Sequence, residues 1–170
     1  MSKEIIIAHD AIQKRVSELS REISLDYHGK EPILVGILNG AVFFFTDLVM
    51  KMTIPVKIDF IRAFSYGSGT SSSGSVKMIK DIELPVAGKD ILLIEDIVDT
   101  GLTLKKIIEN VKSKKPASVG VCALIDKAER REESINLDYC GFKVTDGFLV
   151  GYGLDHDEKY RTLPDIYKLS

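Results

Sequence analysis

Three acidic side chains are crowded into one short stretch of the sequence. Glu95 and Asp96 are adjacent, Asp99 follows closely, and a loop of small and hydroxyl residues comes next, over positions 100–103. The backbone N–H groups of such a loop, together with those of a following helix N-terminus, can surround a phosphate. Carboxylates would repel that phosphate unless they bind the hydroxyls of a ribose, or a Mg²⁺ ion that the phosphates share. The pattern therefore predicts a binding site for a phosphorylated sugar.

A purely structural explanation is also open for these residues. Asp99 and Thr100 stand where a helix is expected to begin, and such side chains satisfy the unpaired N–H groups of a first helical turn. Capping accounts for one acid but not for three acids around one strand end. The sugar-phosphate interpretation is therefore favoured.

The acids lie between a predicted strand and a predicted helix. Four consecutive aliphatic residues, 91–94, precede them, which is typical of a strand buried on both faces. After the loop, apolar residues recur at helical spacing at Leu104, Ile107 and Val111. Ligands bind beyond the carboxyl ends of the strands in an open parallel sheet, so this order puts the acids at the ligand-binding edge.

A second unit of strand, tight loop and helix precedes the first in the chain. A strand is predicted over residues 32–38 and a helix over 42–52, with Asn39 and Gly40 between them. A glycine at that point allows a ligand to approach the backbone closely. An ordinary turn is the alternative explanation.

A third buried strand is predicted over residues 118–125, and Lys127 comes at its end with Arg130 and Arg131 beyond. A lysine at the carboxyl end of a strand, beside a site rich in acids, can donate to a ligand carbonyl. It can equally be a solvated side chain, so Lys127 alone is weak evidence.

The remaining pattern completes an α/β domain. A helix is predicted over residues 8–27, and further strands over 56–64, 76–79, 137–143 and 148–153. The Gly- and Ser-rich segment over about 65–75 lacks side chains with which to build a core, and it reads as a hairpin loop or as a flexible lid. Helices and strands in alternation predict a mostly parallel sheet of about five strands, with a small hood from the chain termini.

Composition limits the possible functions. A chain of 170 residues fits a single domain, and its net charge of −2 argues against a nucleic-acid partner. No apolar run approaches a membrane span and no signal pattern opens the sequence, so we expect a cytoplasmic protein without a membrane partner. Cys122 and Cys140 are expected to be buried free thiols.

Two stretches resemble a known family. Residues 95–103 closely resemble the phosphoribosyl pyrophosphate motif of the type I phosphoribosyltransferases, and the flanking strand and helix fit as well. Residues 148–155, followed by Tyr160 and Arg161, resemble the C-terminal region of the hypoxanthine-guanine branch of that family. The resemblance covers nearly the whole chain. It implies a type I phosphoribosyltransferase-like fold, with a central, mostly parallel sheet flanked by helices, a small hood and a flexible lid loop.

The resemblance also implies an activity, namely transfer of the 5-phosphoribosyl group from phosphoribosyl pyrophosphate to N9 of a 6-oxopurine in purine salvage, with Mg²⁺. The residues of the expected site carry separate roles. Those implied for phosphoribosyl pyrophosphate are Glu95, Asp96, Asp99, Thr100, Gly101, Leu102 and Thr103, with Asp99 also the general base. The residues implied for pyrophosphate are Leu38, Asn39, Gly40 and Arg161. Those implied for binding the base are Lys127, Phe148 and Leu149, and those implied for the lid are Ser65 and Tyr66. The residues implied for the metal are Asp155, Glu95 and Asp96.

Some points stay open at this stage. Many family members carry Lys where this chain has Asn39, which puts an ionic contact to pyrophosphate in doubt. Phe148, read without the resemblance, is equally a core aromatic residue. A regulator that binds phosphoribosyl pyrophosphate without chemistry, and a pyrimidine- or orotate-type transferase, are the alternative functions. A homodimer or homotetramer is expected by analogy.

Overall fold

The computed structural model describes residues 2–65 and 75–170 of the chain. The helices are α1 (His9–Asp26), α2 (Val42–Met50) and α3 (Leu102–Ser113). The strands are β1 (Lys3–Ile7), β2 (Ile33–Ile37), β3 (Lys57–Ser65), β4 (Val76–Lys80), β5 (Asp90–Val98), β6 (Ser118–Lys127), β7 (Tyr139–Val144), β8 (Phe148–Val150) and β9 (Ile166–Leu169). Ser65, one predicted lid residue, ends β3, whereas Tyr66 and most of the predicted lid loop lie outside the described residues.

A six-stranded sheet in the order β4-β3-β2-β5-β6-β7 forms the centre of the molecule. Its strands are parallel from β3 to β7, and only β4 pairs antiparallel, at one edge. The prediction of a mostly parallel sheet of about five strands is confirmed. Because β5 lies between β2 and β6, the loops that follow these three parallel strands meet at the carboxyl ends of the strands.

Helices cover both faces of the sheet because its central strands are apolar on both sides. Leu34 and Leu92 share a buried cluster with residues of α1 and α2, while Val35 and Leu93 share one with residues of α3. The side chains of residues 91–94 on β5 are all fully buried. Burying such a side chain stabilises the fold by about 1.5–3 kcal/mol, so a shift of β5 that exposed them would be costly, and the end of β5 is fixed in place.

A second, smaller sheet is built from both ends of the chain. Its strands β1, β9 and β8 pair antiparallel in that order. Ile7, Leu149 and Ile166 from this sheet belong to the same buried cluster as the apolar face of α1. The predicted hood is therefore present, and it packs on the α1 side of the central sheet.

Two predicted strand lengths are wrong. The strand predicted over 148–153 ends at Val150, because Gly151, Tyr152 and Gly153 have φ values of +102°, +49° and +100° and turn the chain. The strand predicted over 118–125 instead continues to Lys127, since β7 pairs with it as far as that residue. Within the described residues, none of the helices has the length and apolar character needed to span a membrane.

Candidate active site

The predicted phosphate loop joins β5 to α3 as a short turn. Gly101 has φ +82°, a left-handed conformation that favours glycine, and it stands directly before the first residue of α3. The Leu102 N–H lies 3.4 Å from the Thr100 hydroxyl oxygen, and the Lys105 N–H donates to the Gly101 carbonyl at 2.9 Å. The loop thus leads straight into a helix N-terminus, the backbone arrangement that suits an anion.

Glu95 and Asp96 end the buried run of β5 as a pair of close carboxylates. The Asp96 N–H donates to the Glu95 carboxylate at 3.0 Å, and the Glu95 side chain is buried. Burial raises the pKa of Glu95 well above its usual range, and the neighbouring charge of Asp96 raises it further. Burial also raises the pKa of Asp96, although Arg161 acts in the opposite direction. Hydroxyl donors or a divalent cation would relieve this accumulation of buried negative charge.

The Asp96 carboxylate lies against the loop that follows β2. A Cβ atom built on Gly40 would sit 1.8 Å from the Asp96 Oδ2 atom, so a side chain at position 40 would overlap this carboxylate. The peptide bond between Leu38 and Asn39 is cis. The absence of a side chain at Gly40 therefore allows the Asp96 carboxylate to pack against the backbone of this loop. The loop after β2 and the loop after β5 are thus neighbours at the carboxyl ends of the parallel strands.

The C-terminal motif reaches the same place through Gly153. A Cβ atom on Gly153, whose φ is +100°, would sit 2.0 Å from the Gly40 carbonyl oxygen. Arg161 donates to the Gly153 carbonyl at 2.7 Å and pairs with Asp155 at 3.2 Å. The two groups of predicted pyrophosphate residues, the loop over 38–40 and Arg161, are thus brought together through Gly153. The sequence offered only one signal for Gly153, its place in a Gly-Tyr-Gly run.

The two carboxylate oxygens of Asp99 lie in different surroundings. Its Oδ2 atom lies 3.6 Å from the Lys127 ammonium and 3.7 Å from the Arg130 guanidinium. Its Oδ1 atom is buried and has no hydrogen-bond partner among the described residues. A buried acceptor without a partner is costly, so the described residues leave one oxygen of this carboxylate unsatisfied.

Lys127 is buried, with a side chain only 7% exposed, and it faces Asp99 and also Glu129 at 3.8 Å. The alternative that Lys127 is a solvated surface side chain is wrong. Its ammonium group and the Asp99 carboxylate form a charged pair between the ends of two neighbouring strands.

Phe148 is 51% exposed, so the alternative that it is a core aromatic residue is wrong. Its ring and the His156 ring form a T-shaped pair, with centroids 5.1 Å apart and an interplanar angle of 78°. Nothing in the sequence marked His156 as a neighbour of Phe148. Leu149, the next predicted base-site residue, is buried and pairs with Lys168 of β9.

A Mg²⁺ ion fits the donor chemistry at this edge of the sheet. Among residues 2–65 and 75–170, no three His, Cys, Asp or Glu side chains form a ready-made cage for a metal ion. Mg²⁺ usually takes one or two carboxylates and completes its shell with water and substrate phosphates. The close pair of Glu95, which is buried, and Asp96, together with the Asp155 carboxylate beside Arg161, are such partial donor sets.

Comparison with known proteins gives the class. Residues 2–157 match the family model described as the phosphoribosyl transferase domain. The chain belongs to the phosphoribosyltransferase family. Relatives within that family carry more particular names, and three of them match this chain over nearly its whole length.

The hypoxanthine-guanine phosphoribosyltransferase of Aquifex aeolicus is 44% identical over 96% of this chain and 93% of its own. The crystal structure of a hypoxanthine-guanine phosphoribosyltransferase from Bacillus anthracis superposes with a TM-score of 0.93, at 40% identity, over 98% of each chain. The bifunctional protein TilS/HprT of Listeria innocua is also 44% identical over 96% of this chain, which spans only 25% of that longer protein.

Proposed function

We propose that this protein is a purine-salvage enzyme that transfers the 5-phosphoribosyl group of phosphoribosyl pyrophosphate to N9 of hypoxanthine, and of guanine as well. The products are IMP or GMP and pyrophosphate. The observation that carries the proposal is the Asp99 carboxylate, which stands between the phosphate loop and Lys127 with one buried oxygen lacking a partner. The family and the named relatives support the same reaction.

The sugar phosphate is bound at the end of β5. The loop over residues 100–103 and the N-terminus of α3 hold the 5′-phosphate through backbone N–H groups. Glu95 and Asp96 accept hydrogen bonds from the ribose hydroxyls or contact the metal shared with them. Both carboxylates have raised pKa values in the free protein because they are buried together, so donors from the ligand stabilise their charged forms.

The pyrophosphate group lies between the Asn39-Gly40 loop and Arg161. The Arg161 guanidinium contributes the positive charge on this side, and it forms ion pairs with Asp155 and Glu158. Mg²⁺, when bound, would neutralise the phosphate charge that accumulates as pyrophosphate leaves. Its protein donors in this proposal are Asp155 and the Glu95–Asp96 pair.

In this proposal the purine binds between the Lys127 ammonium group and the Phe148 ring. The exposed Phe148 ring stacks on the base, Leu149 presents backbone to the base edge, and the Lys127 ammonium donates to the oxygen at C6. As the C1′–oxygen bond breaks, its electron pair leaves with pyrophosphate. N9 then forms the new bond to C1′, and the N7 proton passes to Asp99 as general base.

Pyrophosphate release from purified protein tests this function. The protein is mixed with Mg²⁺, phosphoribosyl pyrophosphate and, separately, hypoxanthine, guanine, xanthine, adenine or uracil. Release with hypoxanthine, with or without guanine, supports the proposal. Release with uracil alone assigns a pyrimidine-type transferase. If none of the five bases gives release, the protein is a regulator that binds the sugar without chemistry.

The proposal also includes the domain organisation, the cellular location and the oligomeric state of the protein. We infer that residues 1–170 act as one domain, because the hood shares its buried cluster with α1 and α2. A cytoplasmic location and a homodimer or homotetramer are proposed by analogy with the family.

A further inference from the structure

Arg131 lies beyond β6 and binds the backbone of the phosphate loop. Its Nε–H donates to the Asp99 carbonyl at 2.8 Å, and its Nη2–H donates to the Val98 carbonyl at 2.9 Å. The side chain is only 20% exposed. Its guanidinium is therefore used for internal contacts to the loop and is not a free surface charge.

The same guanidinium also binds the end of the neighbouring strand. Its Nη2 atom lies 2.5 Å from the Asp126 carboxylate and 3.4 Å from the Lys127 carbonyl oxygen. Val98 and Asp126 are paired in the ladder between β5 and β6. One side chain thus connects the ends of the two strands that carry Asp99 and Lys127.

The next loop carbonyl is bound from the same segment. The Thr100 carbonyl accepts the N–H groups of Glu132 and Glu133, each at 3.0 Å. Three consecutive carbonyls, of residues 98–100, are therefore turned toward residues 131–133. Since a trans peptide is planar, its N–H group points away from its own carbonyl. The N–H groups of residues 99–101 are accordingly directed to the other side of the loop.

We propose that Arg131 is a positioning residue for the transferase reaction, an inference that rests on the function proposed above. By holding the loop carbonyls, it directs the loop N–H groups toward the sugar phosphate. By bonding the Asp99 backbone and the end of β6, it keeps the Asp99 carboxylate in place opposite Lys127. It acts through these groups and does not touch the substrate.

Arg131→Lys tests the proposal because a lysine keeps the charge but cannot span the same carbonyls with a planar fork. The expected result is a fall in kcat and a rise in KM for phosphoribosyl pyrophosphate, each by about tenfold, since small misplacements of reacting groups lower rates on this scale. KM for hypoxanthine is expected to rise by a smaller factor, because Arg131 reaches the base site only through the Lys127 backbone, while Phe148 and Leu149 are untouched. Steady-state kinetics with each substrate varied in turn measures this split.

Arg15 offers a matched control outside the site. It also donates to two consecutive carbonyls, of Cys140 at 2.8 Å and Gly141 at 3.1 Å, and its side chain is 25% exposed. Arg15→Lys is expected to lower the melting temperature about as much as Arg131→Lys, while leaving kcat and both KM values unchanged. The control separates a general loss of packing from a specific loss of loop geometry.

A second variant serves if Arg131→Lys does not fold. Asp126→Asn removes the carboxylate partner of Arg131 but keeps the arginine, and it should raise KM for phosphoribosyl pyrophosphate in the same direction by a smaller factor. Kinetic constants within twofold of wild type in the folded Arg131 variant, or in the Asp126 variant if the first does not fold, overturn the proposal. Equal effects of Arg15→Lys on the kinetics overturn it as well.

Failure of the proposed function gives a different result. If the wild type transfers nothing to any base, calorimetric titration with phosphoribosyl pyrophosphate still tests Arg131. Binding that is about tenfold weaker in Arg131→Lys supports a role in shaping the loop, and unchanged binding excludes it.

Discussion

At the scale of single residues, Asp99 is distinguished by its surroundings. Lys127 and Arg130 both approach one of its carboxylate oxygens, while the other is buried without a partner among the described residues. An aspartate that merely capped α3 would direct an oxygen to the helix N–H groups. The sequence predicted Asp99 as the base from its motif. It could not predict that the two carboxylate oxygens have different surroundings, because Lys127 and Arg130, which approach one of them, are distant in the chain.

Asp99→Asn should lower turnover by about 100-fold or more, which is the usual range for loss of a general base. The amide keeps the size of the side chain but cannot take up the N7 proton. Binding of phosphoribosyl pyrophosphate should be kept, since the loop N–H groups and the other two acids remain. Steady-state kinetics and calorimetry on the same sample measure both, and unchanged turnover would remove Asp99 from the role.

At the scale of elements, the hairpin of β3 and β4 is joined by a buried carboxylate on β3. Asp59 accepts the N–H groups of Phe60, Glu83 and Leu84 at 2.7–2.8 Å and pairs with Lys80 at 3.3 Å. Burial alone would raise the pKa of Asp59, but the backbone donors and Lys80 together lower it below its ordinary value. The ends of β3 and β4 flank the segment predicted to be the lid.

Asp59→Asn should therefore destabilise the protein in a way that depends on pH. Because the folded pKa lies below the unfolded value of about 3.9, the stabilisation is present above about pH 4 and is lost as pH falls through the folded pKa. The free energy of unfolding should drop by about 1–3 kcal/mol at pH 7 and by much less near pH 3. Urea unfolding at the two pH values measures the difference.

Asp157→Asn is the matched control, because the Asp157 side chain is 83% exposed and its ion pair with Lys159 is long, at 3.9 Å. It should leave the free energy of unfolding unchanged at both pH values. An effect of Asp59→Asn that grew on acidification would contradict the assignment of Asp59 as a charged acceptor.

The elements also show what the sequence could and could not predict. The apolar run of residues 91–94 was enough to identify β5, because a strand buried on both faces leaves an unbroken signal. Asp59 was missed, since the residues that satisfy it lie more than twenty positions away at Glu83 and Leu84. The end of β8 was misplaced because the positive φ values at residues 151–153 are not visible in an apolar pattern.

At the scale of the whole molecule, the hood and the central sheet meet at the site. Tyr152 of the hood donates its hydroxyl to Asp47 on α2, which also accepts from Gln13 on α1 at 2.8 Å. One residue further, Gly153 lies against the Gly40 carbonyl. The pyrophosphate side of the proposed site therefore depends on how the two sheets pack.

Gly153→Ala should disturb this junction more than an ordinary glycine replacement. The new methyl group would sit 2.0 Å from the Gly40 carbonyl oxygen, which is backbone and cannot move aside easily. We expect a loss of about 3 kcal/mol or more in the free energy of unfolding, the range of overpacked and strained sites. KM for phosphoribosyl pyrophosphate should rise as well.

Gly88→Ala controls for backbone strain alone. Gly88 has φ +70°, but nothing lies within 4 Å of a Cβ atom placed there. Its replacement should cost about 1–2 kcal/mol and leave KM unchanged. Equal effects of the two replacements, by chemical unfolding and by kinetics, would mean that the contact with Gly40 is unimportant.

The central claim is that paired acids beside an anion loop hold a metal-bound pentose phosphate. Calorimetric titration of Glu95→Gln/Asp96→Asn with phosphoribosyl pyrophosphate and Mg²⁺ tests it most directly. The account predicts binding weaker by about 100-fold, since each hydrogen bond to a charged group contributes roughly 1.5–3 kcal/mol, with binding of inorganic phosphate to the loop kept. Binding of the sugar as tight as in the wild type would contradict it.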